Sequence, residues 1–508
     1  MLTGGSRAAL PRHQTLQAAL DWSFQSLSAV EKPVFRRLAV FAGGFTLSAA
    51  EAVCAGEDLA AVDVLEPLTR LVRKSLVTTE DRGDDRRYRM LEPMRQYARD
   101  KLREAGEIES ARGRHLDWFL PLAEEAEPRL RSHGQWLRRL ETEHDNLRAA
   151  LEWALAGDHP EPALRLATAL KPLWELHGHF LEGRRRLAEA LARDVRAPVP
   201  VALQARALAA AASLAQEQHD HNQTETFAAQ SLTLYREIGD RRGEAHALRL
   251  LGSVARWHSD FSRAAQLFQE ALVHFQAEQD EWGIATCARA FGGLARAQKR
   301  YEEAATHFTA ALHLFRKVGD DQETANTLYF LGLTARAQGE FAQALAYAEE
   351  ALVLARALED AYSAAHALHL TGTVAWYQGD YARAAALHEQ SLPMFQELGD
   401  WNCVATTTTD LGLVAQQQGN LERAVALHQE GLRRRLGLED QAGVAESLER
   451  VASAVAPHRG EEAARFLGAA EALRENLGVP LSPVEKPRYE KLVAALRTAL
   501  GDATLTAA

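Results

Sequence analysis

Three arginines, Arg256, Arg296 and Arg336, stand forty residues apart, and Trp376 takes the next step of the same series. A second series runs Arg249, Arg289, Tyr329, His369, and a third His246, Thr286, Asn326, His366; Trp257 and Tyr377 are chain neighbours of the first. Guanidinium groups grip carboxylates and phosphates in a bidentate fashion, and flat indole or phenol rings beside them give contact area at little entropic cost. The chemistry such columns can do is recognition of an anion, not bond making. They can equally pair with acids on neighbouring helices and hold a stack together.

Reactive groups in the spacing that catalysis requires are missing from the sequence. Neither G-x-S-x-G nor H-E-x-x-H occurs, and no Gly-Lys pair is present, so the phosphate-cradling G-x-x-x-x-G-K-[ST] loop is not encoded. Catalytic residues are therefore none, and the chain reads as a non-enzyme. Cys54, Cys287 and Cys403 are isolated and odd in number, which fits reduced, partly buried thiols and neither a disulfide framework nor a zinc ribbon. The pairs His177 with His179 and His219 with His221 lie 42 residues apart in expected turns without a completing cysteine or carboxylate set, so no metal site is expected.

The elements that would position the columns follow from the repeat. Leu251-Gly252, Phe291-Gly292, Leu331-Gly332, Thr371-Gly372 and Leu411-Gly412 recur at steps of 40, followed by Phe261, Tyr301, Phe341, Tyr381 and Leu421, then by Ala264, Ala304, Ala344, Ala384 and Ala424. Breakers such as Gly239-Asp240, Gly319-Asp320 and Gly399-Asp400 close the units, because Gly tolerates left-handed backbone and Asp caps helices. Each unit is two helices and two turns, with the first helix lining the inner surface. Leu251-Gly252, Ala264, Phe268 and Ala271 resemble the tetratricopeptide repeat, whose usual period is about 34 residues. The surplus is read as longer second helices or longer turns between repeats. Residues 201–240 and 161–193 are worn copies, and 484–500 closes the stack after Pro480, Pro483 and Pro487.

Ahead of the repeats the pattern changes. Residues 15–26, 29–40, 48–54 and 63–73 read as short helices, the second capped by Ser28 with Glu31 three residues on. Residues 76–79 and 87–90 alternate as strands around a polar turn at 81–85, and 93–104 returns to helix, a winged-helix order. The fold class is all-α: an α-solenoid of tetratricopeptide-type helix pairs of period 40, preceded by a small winged-helix domain with one β-hairpin. Residues 1–105 form the expected switch domain, 106–199 a helical connector with a degenerate repeat, 200–478 the repeats, and 479–508 a capping helix and tail.

The strings RHQTLQAALDWSF, LAVFAGGFTLSAAEAVCA, LVRKSLV, YRMLEPMRQYA, EHDNLRAALEWAL and AARFLGAAEAL resemble bacterial STAND-class ATP-binding transcriptional regulators of the LuxR- and SARP-related branch. In that family an effector domain precedes a P-loop ATPase, a winged-helix switch and helical repeats. The resemblance implies that this chain is the C-terminal part of such a regulator, with ATP or ADP bound only in an ATPase domain that it lacks and no cofactor of its own. Met90-Leu91-Glu92 falls where the wider class has its Met-His-Asp switch motif. Leu91 cannot donate a hydrogen bond to a phosphate as His does, whereas Glu92 keeps the acidic group.

Partners follow from charge. The net charge of −11 argues against a surface that wraps nucleic acid, and residues 1–105 carry 16 basic against 14 acidic side chains. Arg70, Arg73 and Lys74 of the expected recognition helix are the candidate phosphate contacts, but direct nucleic-acid contact is not expected. A protein or peptide, acidic in character, and the ATPase domain of a parent or partner regulator are the expected partners. No apolar run of membrane-spanning length or signal-peptide core occurs, so the expected location is the cytoplasm. The sensor function has two alternatives: a free-standing repeat scaffold, or DNA binding through the winged helix.

Overall fold

A computed structural model describes residues 11–82, 85–130, 134–157, 159–192, 199–438 and 440–501. The chain divides into two compact units, one of residues 1–128 with 135–169, the other of residues 129–134 with 170–508.

The first unit runs α1 (Pro11–Gln25), α2 (Glu31–Arg37), α3 (Leu47–Cys54), α4 (Leu65–Arg73), β1 (Thr78–Arg82), β2 (Asp85–Arg89), α5 (Glu92–Glu104), α6 (Ile108–Ala126), α7 (Gly134–Thr142), α8 (His144–Ala156) and α9 (Pro160–Ala169). The capping box ahead of α2 closes both ways: Ser28 N–H donates to Glu31 Oε2 at 2.7 Å, and Glu31 N–H to Ser28 Oγ at 3.2 Å. The strands pair antiparallel in the register Thr78↔Arg89 to Arg82↔Asp85, and Phe45 exchanges two backbone hydrogen bonds with Tyr88, both 2.8 Å. Leu76 and Val77 are buried ahead of the hairpin, which starts two residues later and reaches further into the charged stretch than polarity suggests. A wing is held by its ladder of backbone bonds, so charged residues do not end it. Of the expected turn at 81–85, residues 83 and 84 lie outside the described residues. Phe41 stacks on Phe45 at 4.4 Å in the core beneath.

In the second unit, α10 (Lys171–Leu176) and α11 (Phe180–Leu191) lead into seven antiparallel pairs. These are α12 (Val201–Glu217) with α13 (His221–Ile238), α14 (Arg241–Trp257) with α15 (Phe261–Ala277), α16 (Glu281–Ala297) with α17 (Tyr301–Val318), and α18 (Asp321–Gln338) with α19 (Phe341–Ala357). Then come α20 (Ala361–Tyr377) with α21 (Tyr381–Leu398), α22 (Trp401–Gln417) with α23 (Leu421–Gly437), α24 (Gln441–Val455) with α25 (Gly460–Leu477), and the closing α26 (Lys486–Leu500).

Asp240, Asp260, Asp280, Asp320, Asp360, Asp380, Asp400 and Asp440 each accept a backbone N–H from the first turn of the helix that follows. Caps therefore fall on a step of 20, and from α14 to α23 each helix has 17 or 18 residues. The expectation that second helices or turns carry the surplus is thus corrected: the 40 residues divide evenly between both helices of a pair.

The Leu-Gly landmark has a steric reason. A Cβ on Gly252 would lie 2.5 Å from the Phe268 ring, so only hydrogen lets α14 and α15 close on it. Phe268, Phe275, Phe308, Phe315 and Phe395 fill the seams between helices, fully buried. At the far end, Leu492, Val493 and Leu496 of α26 cover Val451 and Leu467, hiding the last apolar face as a stack of repeats requires.

Candidate functional site

Because caps recur every twenty residues, each first helix of a pair presents the same face inward, and these faces surround a cavity of about 630 Å³ within the second unit. Twelve of the thirteen groove residues expected from sequence line it: Arg249, Arg256, Trp257, Arg289, Arg296, Asn326, Tyr329, Arg336, His366, His369, Trp376 and Tyr377. His246 does not. Its ring packs on Phe275 at 4.9 Å and on Trp282 at 5.5 Å, and Trp282 reaches the cavity in its place.

The cavity is narrowed by contacts between the first helices of the second unit and the fifth and sixth pairs. Phe180 of α11 meets Tyr362 of α20 edge-on at 5.6 Å, and His219, after α12, comes within 4.0 Å of Asp400 ahead of α22. Trp257 lies against His221 at 4.2 Å and His219 at 5.8 Å; Tyr329 and Tyr362 flank His366 at 4.7 and 4.4 Å. Burial pushes the His366 imidazole down to about 4, so the aromatic wall is uncharged at neutral pH.

The arginines divide into two kinds. On α14, α16 and α18, Arg249, Arg256, Arg296 and Arg336 have no carboxylate partner within ion-pair reach among the described residues, and the Nε of Arg249, Arg296 and Arg336 is buried without a hydrogen-bond acceptor. Arg296 sits 5.8 Å over the Phe330 ring. Burial, then repulsion from Arg296 and Arg289, brings Arg256 down to about 10. Arg289 alone on this wall reaches an acid, Glu323, at 3.2 Å.

Opposite, on α23 to α26 and the turn ahead of it, every cavity arginine is matched. Arg435 binds Glu446 at 3.2 Å and the Gly443 carbonyl at 2.7 Å. Arg450 binds Glu485 at 2.8 Å and Glu446 at 3.1 Å, and Arg474 binds Glu449 at 2.5 Å. Burial pushes Glu446 up, but Arg435 and Arg450 outweigh it and hold this carboxyl below the usual carboxylate range.

Sequence reasoning missed several cavity residues. Lys299 is one: it projects from a left-handed turn at φ 61°, where the next three repeats have Gly339, Gly379 and Gly419, and that break in the column was its signal. Glu217 is another, with its carboxyl raised to about 7 by burial and by Glu175.

In the first unit, Met90 is buried, while Leu91 and Glu92 are exposed at the start of α5, where Glu92 accepts from Arg95 Nε at 2.9 Å. Of the three basic groups at the end of α4, Arg70 pairs with Glu66 at 2.5 Å and Lys74 with buried Glu31 at 2.8 Å, which leaves Arg73 the one without a carboxylate partner among the described residues.

The chain matches a tetratricopeptide repeat model at residues 284–357, 323–397 and 363–437, and a winged helix-turn-helix domain model at residues 27–103. It is 46% identical over 184 residues to an HTH-type transcriptional regulator of Mycobacterium tuberculosis, a stretch covering 36% of this chain and 21% of that protein. A counterpart in Mycobacterium bovis matches equally. The chain thus spans about a fifth of the length of these relatives.

Among solved structures it is similar to a Rap protein complexed with Competence and Sporulation Factor, with a TM-score of 0.52, 14% identity, and coverage of 68% of this chain and 95% of that one. A Signal Transduction ATPase with Numerous Domains (STAND) protein with a tetratricopeptide repeat sensor, from Pyrococcus horikoshii, aligns with 98% of this chain and 68% of its own at 15% identity and a TM-score of 0.49. No helix among the described residues is long and apolar enough to cross a membrane. The chain carries a winged helix-turn-helix domain followed by tetratricopeptide repeats, and its sequence relatives include mycobacterial proteins named as HTH-type transcriptional regulators.

Proposed function

We propose that the repeats are a non-catalytic sensor that takes an anionic effector, a small molecule or an acidic peptide segment, into the cavity, and that the winged-helix unit passes the bound state to a P-loop ATPase domain. One observation carries the reading: four guanidinium groups of the cavity wall have no carboxylate within ion-pair reach among the described residues, and at Arg256 and Arg296 no nearby carboxylate offsets the burial. Burying an unpaired charge is costly, and an incoming carboxylate or phosphate removes that cost. The aromatic faces of Trp257, Tyr329, Trp376 and Tyr377 beside them favour a ligand with an apolar part next to its charge. The Rap protein of like fold was solved with a bound factor, which agrees with a repeat stack used for capture. The resemblance to STAND regulators supports the ATPase domain as the recipient, in the same longer protein or in a partner.

Titration calorimetry of the purified chain with inorganic pyrophosphate and with a tetraglutamate peptide tests the anion site. Binding of at least one probe is expected, weakened roughly 100-fold by Arg256→Ala with Arg296→Ala, since each charge-assisted hydrogen bond contributes about 1.5 kcal/mol or more. No binding at millimolar probe, or equal binding by the variant, contradicts the reading. For the switch, the chain should bind an ATPase domain of a related regulator and change its nucleotide turnover; neither effect occurring would leave a plain scaffold.

A further inference from the structure

The wall of the cavity on α20 to α22 holds a second group of polar side chains with a different chemistry. His369 on α20, His388 on α21 and Asp410 on α22 bring one donor atom each within 4.8 Å of the others, and all three line the cavity. His369 Nε2 lies 3.0 Å from Asp410 Oδ2. Thr373 Oγ1 lies 3.3 Å from the same carboxylate oxygen and donates to the His369 carbonyl at 3.0 Å, which fixes the pair from behind.

His388 is the unexplained member. Its side chain is fully buried, and neither ring nitrogen has a hydrogen-bond partner. At the same position of earlier repeats stand Phe268, Phe308 and Ala348, so packing there asks only for an apolar filler against the Gly of the preceding helix. An imidazole in that slot leaves a buried donor unsatisfied, which an apolar side chain would avoid.

We propose that His369, His388 and Asp410 form a binding site for a transition-metal ion of the zinc class, with its remaining coordination position open to the cavity. Two imidazole nitrogens and a carboxylate suit zinc, and three protein ligands with one open position is the arrangement of an accessible site. Bonds of about 2.1 Å place tetrahedral donors about 3.4 Å apart, a closure that rotation of the unpinned His388 ring can supply.

The fold provides its own control. His428 repeats the histidine of 388, against Gly412 as His388 lies against Gly372, and its ring nitrogens are equally unpartnered. Yet the positions of His369 and Asp410 are taken one repeat later by Thr409 and Arg450, which cannot complete a metal site. Two other clusters are weaker. Asp400 beside His366 and Cys403 already caps α22, and Glu244 with Glu270 beside His274 are neutralised by Arg236.

The test uses untagged full chain, stripped with a chelator and titrated with cobalt(II), whose visible absorption reports coordination, followed by displacement with zinc. One equivalent of cobalt should bind, and zinc should displace it. His388→Phe, which installs the side chain of two sister repeats, should weaken binding by at least about 100-fold, whereas His428→Phe and the Arg256→Ala, Arg296→Ala pair should leave it unchanged. Asp410→Asn serves as a second ligand variant if His388→Phe loses its helical circular dichroism. Absence of the cobalt band in the wild-type chain, its persistence in both His388→Phe and Asp410→Asn, or an equal loss in His428→Phe overturns the proposal.

Discussion

The two arginine walls of the cavity use one residue type in opposite ways. On α23 to α26 and their turns, Arg435, Arg450 and Arg474 are met by Glu446, Glu485 and Glu449, so these repeats bring their own counter-ions. On α14, α16 and α18, the helical register points Arg249, Arg256, Arg296 and Arg336 into the same space with no carboxylate within ion-pair reach among the described residues, although Glu485 and Asp410 still act on Arg336 from further off. Residue type does not separate the two sets, although register does: Arg256, Arg296 and Arg336 share one column of period 40, whereas forty residues before Arg435 and Arg450 stand Phe395 and Asp410. What separates them chemically is whether the acid is supplied by a neighbouring helix or left to something outside the chain. The contrast teaches that pairing, more than charge alone, distinguishes an arginine that holds a stack from one available to a ligand.

The largest effect that can break this comparison lies on the matched wall. Arg450→Ala leaves Glu485 without its arginine and Glu446 with Arg435 alone, and should destabilise the chain by about 3 kcal/mol in urea unfolding. A loss no greater than that of a surface substitution would mean that the matched wall is not structural.

A smaller effect is expected from Glu217, whose carboxyl is held up near 7 by burial and by Glu175, with Arg289, Glu323 and Lys171 as its other charged neighbours. Below pH 7 it is neutral; as pH rises through 7 it ionises and adds a negative charge to the cavity. Binding of an N-acetylated tetraglutamate peptide, whose own charge is nearly constant above pH 6, should therefore weaken several-fold between pH 6 and 8. Glu217→Gln should abolish that slope.

Lys299→Gly should do least to the fold. It removes a left-handed lysine at a position that sister repeats fill with Gly, so unfolding free energy should shift by less than about 1 kcal/mol while anion binding weakens. A large loss of stability would assign Lys299 to the stack instead.

The fold was legible because its signals are local and repeated. Leu-Gly, the small residue thirteen positions after the first Leu, and the Asp caps recur in step, and each answers to a contact or a cap bond. The inward columns were legible for the same reason, with His246 the exception because Trp282 takes its place at the cavity. The acids facing those columns were not. Glu217 stands forty residues before Trp257 in the same column, whereas Glu485 reaches the cavity from the turn ahead of α26 through a curvature that sums small rotations no single repeat displays. The first strand of the wing lies two residues beyond where polarity suggests, because the backbone ladder continues through charged residues.

The most direct measurement is the melting temperature of Arg256→Met with Arg296→Met, compared with the wild-type chain in the absence of any added anion. Methionine keeps much of the volume and removes the two charges that have no partner. An unpaired wall that awaits a ligand predicts a melting temperature equal to or above that of the wild type, with the gain reversed when a binding anion is added to both. A fall comparable to that of Arg450→Ala would contradict it, placing these arginines among the residues that hold the stack.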